Sequence, residues 1–222
     1  NTPFTILKSV RDEPIPSIQY LSEKDALALF NPHQQMFSAD SFNNKNVVII
    51  IMESFSSQFI GSLHNGNGYT PFLDSLMKHS LVCDQTYANG KRSIEGVPAV
   101  VASLPHLMDE PFITSAYNVN RINTPASILG KKGYSSAFFH GGNNGTMGFD
   151  NFTRLAGFET YFGRNEYDGP ASDYDGNWGI YDDAFMRFMT RTLSRQRAPF
   201  FATFFSLSSH HPYNVPSRFS DK

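Results

Sequence analysis

The chain has little of what several classes of protein need. It contains one cysteine, so neither an internal disulfide nor a cysteine-based metal knuckle is open to it. That residue, Cys83, lies in Ser80-Leu81-Val82-Cys83-Asp84, which reads as a buried strand thiol. Charge of one sign is not in excess. The 20 acidic residues face 18 basic ones, which argues against a polyanion-binding surface and against nucleic acid as a partner. Long hydrophobic runs are missing too: the longest, near residues 47–52, is far short of the roughly 20 residues that cross a bilayer, and no secretory leader is legible. Both absences concern these 222 residues only, enough for one α/β domain or most of a larger one. Aromatics, by contrast, are plentiful. The 21 Phe and 10 Tyr imply bulky core packing and an aromatic-lined cleft.

The organising stretch is Asn46-Val47-Val48-Ile49-Ile50-Ile51-Met52-Glu53-Ser54-Phe55. Its β-branched run favours extended backbone, and a strand apolar on both faces suits a central position with helices on either side. Glu53 then sits at the carboxyl edge of the sheet, where open α/β folds bind ligands, unless it simply opens a solvated loop.

Ahead of this strand, residues 1–45 mix Pro, Asn and Ser around one helical patch at 22–30, with Ser22 placed to cap it. They read as a lead-in packed along the domain surface. After the strand, the turn-rich residues 64–69 lack the Gly-Lys-Ser/Thr ending of a phosphate loop, and Thr70-Pro71 opens a helix to about Ser80. A second strand is expected over Leu81–Tyr87. Further Thr-Pro and Gly punctuation predicts a helix from Thr124, a strand over Tyr134–Phe139, a short helix over Phe149–Ala156 and a brief strand over Phe158–Phe162. The loop 168–179 carries three acids and the only Trp. Its acids do not keep the spacing of a calcium-binding helix-loop-helix, so it reads as a surface loop with Trp178 on a cleft wall. Phe185, Phe188, Met189 and Leu193 mark an amphipathic helix over 180–195, and a buried strand follows over 199–207.

Between the second strand and an apolar helix expected over 94–104 lies Asn89-Gly90-Lys91-Arg92-Ser93. Ser93 falls at the helix N-cap, where free N–H groups and the dipole favour an anion, so its hydroxyl is either a cap or a nucleophile. Strands from distant parts of the chain thus finish near Glu53, His140 and His210, while Ser93 starts the helix after another. Polar groups gathered at strand ends in a βαβ succession are the layout of an α/β enzyme site.

Together, the segments at 46–55, Thr-Pro-Phe-Leu-Asp-Ser-Leu (70–76), Gly-Lys-Arg-Ser-Ile-Glu-Gly (90–96), His-Gly-Gly-Asn-Asn-Gly-Thr-Met-Gly-Phe-Asp (140–150) and Ser-Leu-Ser-Ser-His-His-Pro-Tyr (206–213) resemble the lipoteichoic acid synthase type of sulfatase-like protein, within the alkaline phosphatase superfamily. The resemblance runs in order over about residues 44–216. It implies a three-layer αβα domain with an alkaline-phosphatase-like mixed sheet. Residues 46–222 would be the N-terminal part of the catalytic domain, truncated at its C-terminus, and residues 1–45 the linker from upstream membrane helices. The implied enzyme is a phosphotransferase of the cell membrane with an extracytoplasmic catalytic domain. It would take a phosphoglycerol-type group from a phosphatidylglycerol-like donor, pass through a covalent phospho-enzyme, and deliver the group to an envelope glycan or lipid. Mn2+ or Mg2+ is the implied divalent metal, with Zn2+ as a third choice.

Carried over residue by residue, Glu53 matches the strand-end metal ligand, Ser93 the nucleophile, itself a metal contact, and His210 a histidine that touches the phosphoryl oxygens or glycerol. Lys91, Arg92, His140, Asn143 and Trp178 are further substrate contacts. Two positions depart from the family pattern. Lipoteichoic acid synthases carry Thr where this chain has Ser93, and their Asp-His metal pair has no counterpart before Lys222. Arylsulfatases need Cys/Ser-x-Pro/Ala-x-Arg, and Ser93 is followed by neither that Pro/Ala nor that Arg. A hydrolase of the same superfamily and a non-catalytic envelope module for head groups or glycans are the alternatives.

Overall fold

The protein's computed structural model describes Pro3, residues 17–31 and residues 41–219. The chain divides into two compact units, Asn1–Lys45 and Asn46–Lys222. In the first, helix α1 (Glu23–Leu29) starts where Ser22 accepts a hydrogen bond from the Asp25 amide, as its N-cap position dictates. Residues 1–2, 4–16 and 32–40 of the expected lead-in lie outside the described residues.

The second unit is built on four strands, β1 (Val47–Ile51), β2 (Ser135–His140), β3 (Thr160–Phe162) and β4 (Phe200–Phe205), in the order β1-β4-β2-β3. Every pairing among them is parallel, with Ile51 opposite Phe205 and Phe205 opposite His140, so the strands finish at one edge. Parallel pairs need crossovers. These carry helices α2 (Pro71–Met77), α3 (Ser93–Ala102), α4 (Pro125–Gly130), α5 (Phe149–Leu155) and α6 (Asp182–Ser194).

Alternation along β2 and β4 divides the core in two. Phe138, Phe201 and Phe205 face Val97 and Val101 of α3 with Phe149 and Phe152 of α5. Ala137, Phe139, Ala202 and Phe204 face Phe185, Phe188 and Met189 of α6. The unit is therefore an α/β, three-layer αβα domain. The apolar stripe on α6 reads in the sequence as it packs in the structure, with Phe185 fully buried.

Two expectations fail. The first is the central place given to β1, which lies at the edge of the described sheet and pairs with β4 alone. Ile49 and Ile51 pack into the α3 face, whereas Val48 and Ile50 are 45% and 49% exposed, because α6 covers β2 and β4 instead. The second is the strand over Leu81–Tyr87. The segment is irregular and exposed, Leu81 is 95% exposed, and the Cys83 thiol is exposed rather than buried. A strand exists through its ladder, and no described strand pairs with this segment; Asp84 and Gln85 add no propensity of their own.

Candidate active site at the carboxyl edge of the sheet

Where β1 ends, the chain is fixed by its neighbour. The Ser206 amide, just past β4, donates to the Ile51 carbonyl at 2.9 Å, and the Glu53 amide donates to Ser206 Oγ at 2.7 Å. Ser54 then takes a left-handed φ of 50° and donates its hydroxyl to Glu53 Oε1 at 2.8 Å. The other carboxylate oxygen, Oε2, accepts from Ser93 Oγ at 2.6 Å, across 40 residues of sequence. Glu53 and Ser93 are both half-buried.

Ser93 is the first residue of α3, and the N-cap is Arg92, not Ser93 as the sequence suggested. Glu95, the third residue of the helix, reaches back to accept the amides of Arg92 at the N-cap and of Lys91 before it, while the Ser93 hydroxyl is turned to Glu53. Arg92 donates through Nε to Glu95 Oε1 at 2.6 Å, while the Lys91 side chain is exposed and makes no ion pair among the described residues.

A second group forms around the loop after β4. Asp182, at the start of α6, accepts the amides of Leu207 and Ser208, each at 2.7 Å, and its own amide donates to Ser208 Oγ. Burial raises the Asp182 carboxyl above its ordinary pKa despite these bonds. Asp175 Oδ1 collects the amides of Asn177, Trp178 and Gly179, which holds the acidic loop in a tight turn. That turn lays Trp178 against His210, with ring centroids 4.1 Å apart, while the indole N–H donates to the His211 carbonyl at 2.7 Å.

The remaining sequence candidates lie elsewhere. His140 is 1% exposed, stacked on Phe205 at 4.7 Å, with its Nδ1 on the Phe205 carbonyl at 3.1 Å. Burial pushes its pKa down to about 4, against the pull of that carbonyl and of Glu53, so it is a neutral core residue and not an open wall of the site. Asn143 is exposed and accepts from Arg164 at 2.9 Å. The structure thus joins Glu53 to Ser93 and Trp178 to His210, and leaves His140 and Asn143 outside both pairs.

The aromatic-lined cleft exists. It measures about 810 Å3 and is lined by Phe55, Phe59, Tyr69, Tyr181 and Tyr213 together with Ser54 and Asp182. Trp178 does not line it and borders a separate hollow with His211 and Pro212. Glu53 and Ser93 present oxygen donors that suit a hard divalent cation. Among the described residues, however, no group of three or more His, Cys, Asp or Glu stands ready to enclose one. Sequence reading passed over Ser54, Ser206, Glu95, Asp175 and Asp182. The one legible signal was Glu95 at the third position of its helix, where acids bind N-terminal amides, and the Arg at the N-cap hid it.

A parallel sheet flanked by helices, with a serine and a carboxylate meeting at its carboxyl edge, defines the class as an α/β domain with an edge site. The family follows from comparison: the family model for sulfatases matches residues 45–222, and the chain belongs to that family. It is 29% identical over 198 residues to lipoteichoic acid synthase 1 of Bacillus subtilis, across 84% of this chain and 30% of that protein. The chain therefore spans about a third of the length of such curated relatives. Among solved structures, a protein of the alkaline phosphatase superfamily from Vibrio parahaemolyticus matches with a TM-score of 0.72 and 31% identity, over 80% of this chain and 44% of that one. The lipoteichoic acid synthase LtaP from Listeria monocytogenes matches with a TM-score of 0.70 and 24% identity, over 79% and 43%.

Proposed function

We propose that the protein is a metal-dependent transferase of a phosphoglycerol-type or related alcohol-phosphate group, with Ser93 as nucleophile. The observation that carries this reading is the 2.6 Å hydrogen bond from Ser93 Oγ to Glu53 Oε2 at the N-terminus of α3. Kinship with lipoteichoic acid synthases supports the phosphoglycerol class. Ser93 Oγ bonds to phosphorus as the bond from phosphorus to the donor's alcohol oxygen breaks, and the serine proton ends on that departing alcohol. An acceptor hydroxyl then attacks the phospho-serine, and Ser93 regains a proton.

Glu53 and Ser93 are the residues that would hold a divalent cation, Mn2+ or Mg2+ before Zn2+, and such a cation would acidify the serine hydroxyl and polarise the phosphoryl oxygen. The positive end of α3 favours the negative charge of the transferred group. Lys91, exposed and two residues before Ser93, offers a cation for the same group, and the Trp178–His210 pair offers a face for the donor or acceptor. No helix among the described residues is long and apolar enough to cross a membrane. Kinship with lipoteichoic acid synthases is what supports a membrane anchor elsewhere in the protein and a catalytic domain outside the cytoplasm.

The test uses the full-length protein with phosphatidylglycerol and Mn2+ and measures release of diacylglycerol. Release that disappears in both Ser93→Ala and Glu53→Ala supports the assignment. A folded wild type that releases none, with any of the three metals, rejects it. Transfer to a supplied glycolipid, compared with appearance of free glycerol phosphate, separates the transferase from a hydrolase.

A further inference from the structure

The loop that delivers Ser93 is shaped by one buried side chain. Glu95 is 5% exposed, yet its carboxylate collects four donors from the two residues before Ser93 and one contact from beyond the helix. Oε2 accepts the backbone N–H groups of Lys91 at 2.9 Å and Arg92 at 3.1 Å. Oε1 accepts Arg92 Nε at 2.6 Å, pairs with the Arg92 Nη2 at 2.5 Å, and faces His106 Nε2 at 3.5 Å. Burial alone would raise this carboxyl, but the Arg92 side chain and the two amides outweigh it and keep the group ionised.

The loop closes on Glu95 so tightly that an added Cβ at Gly90, where φ is +120°, would stand 2.6 Å from the Glu95 Cβ. Its other end is tied by Asn89, whose Oδ1 accepts the His106 amide at 2.6 Å. Residues 89–93 are therefore held at both ends and bent around a single anion.

We infer that Glu95 is the positioning residue for Ser93: by gripping the amides of Lys91 and Arg92 it sets the serine hydroxyl against Glu53. This rests on the reading of Ser93 as nucleophile. A purely structural helix-start acid would account for the two amide bonds and for nothing in the rate. A positioning residue also fixes how often Ser93 is aligned, so it acts on turnover more than on substrate affinity.

The decisive variant is Glu95→Gln in the full-length protein. An amide of the same size can accept at one end only, and its NH2 opposes the donors at the other. The expected result is a kcat lowered by about tenfold or more with KM within about twofold. Hydrogen exchange should quicken in the peptide covering residues 89–93 while the later turns of α3 stay protected. Wild-type kcat in a folded Glu95→Gln protein overturns the inference, and so does a lowered kcat with unchanged exchange in that peptide. A wild type inert toward phosphatidylglycerol rejects the transferase reading instead; the exchange arm then still decides the clamp, because slow exchange at 89–93 that is lost in Glu95→Gln upholds it and fast exchange in the wild type overturns it.

Discussion

The backbone N–H of Glu53 donates to Ser206 Oγ at 2.7 Å, so the carboxylate that follows β1 takes its position from β4, the strand beside it. The two strands leave the sheet in step, and a hydroxyl on one fixes the turn on the other. Ser206 is buried, at 4% exposure, so water cannot replace it.

Ser206→Ala should therefore strand the Glu53 amide. We expect a loss of about 1–2 kcal/mol in stability, the usual cost of a buried donor left without an acceptor. Activity should fall to a level between those of wild type and Glu53→Ala, since the carboxylate remains but loses its fixed origin. Urea unfolding checks the first effect and diacylglycerol release the second. Unchanged values in both would show that β1 places Glu53 without help.

Gly90→Ala probes the same loop as Glu95 from the other side. The substitution forces an L side chain to φ +120° and drives its Cβ into the Glu95 side chain. A cost of about 1–3 kcal/mol is expected from backbone strain. Activity should drop more steeply than at an exposed turn glycine such as Gly66, which has a positive φ and nothing within 4 Å of an added Cβ. Equal effects at Gly90 and Gly66 would show that the loop yields without disturbing Ser93.

His140 predicts a pH dependence. Its pKa falls from 6.5 to about 4 on folding, so the unfolded chain binds the proton more readily. The contribution of neutral, buried His140 is complete above pH 6.5 and is lost as the pH falls toward 4, with a slope of at most about 1.4 kcal/mol per pH unit. His140→Gln should be less stable than wild type at pH 7 and should lose less stability between pH 6.5 and 4.5. Urea midpoints at the two pH values test this, and identical slopes for the two proteins would exclude His140 as the group responsible.

The fold was legible where side-chain pattern alone decides the structure. α6 was readable because Phe185, Phe188, Met189 and Leu193 repeat at helical spacing, and β2 and β4 because short runs with adjacent Phe residues supply both faces of a strand covered on either side. The place of β1 was not, since an apolar run names a strand without naming its neighbours, and Leu81–Tyr87 showed that propensity without a paired backbone makes no strand. At the site, Glu53 and Ser93 could be singled out through family resemblance, and the structure brings them within 2.6 Å. The residues around them left little signal beyond the place of Glu95 in its helix. Ser206, Glu95 and Asp182 are of types usually solvated, and only the three-dimensional neighbourhood shows each one satisfying backbone amides or a buried turn.

Trp178 offers the sharpest separation of binding from chemistry. Its ring lies on His210 with centroids 4.1 Å apart, and its N–H is committed to the His211 carbonyl at 2.7 Å. Trp178→Phe keeps an aromatic face for His210 and removes only the hydrogen bond; Trp178→Ala removes both. If this pair holds the donor or acceptor, Trp178→Ala should raise KM by about five- to thirtyfold, the equivalent of roughly 1–2 kcal/mol, with Trp178→Phe between it and wild type. The turnover number should change little in either, because Ser93 is bonded to Glu53, Glu95 to Lys91 and Arg92, and the Trp178 N–H to the His211 carbonyl. Steady-state kinetics on phosphatidylglycerol, with the acceptor varied in a second series, assigns the face to whichever substrate shows the rise. A fall in kcat at constant KM would instead place Trp178 among the groups that align the reacting atoms, and unchanged constants in both series would remove it from the site.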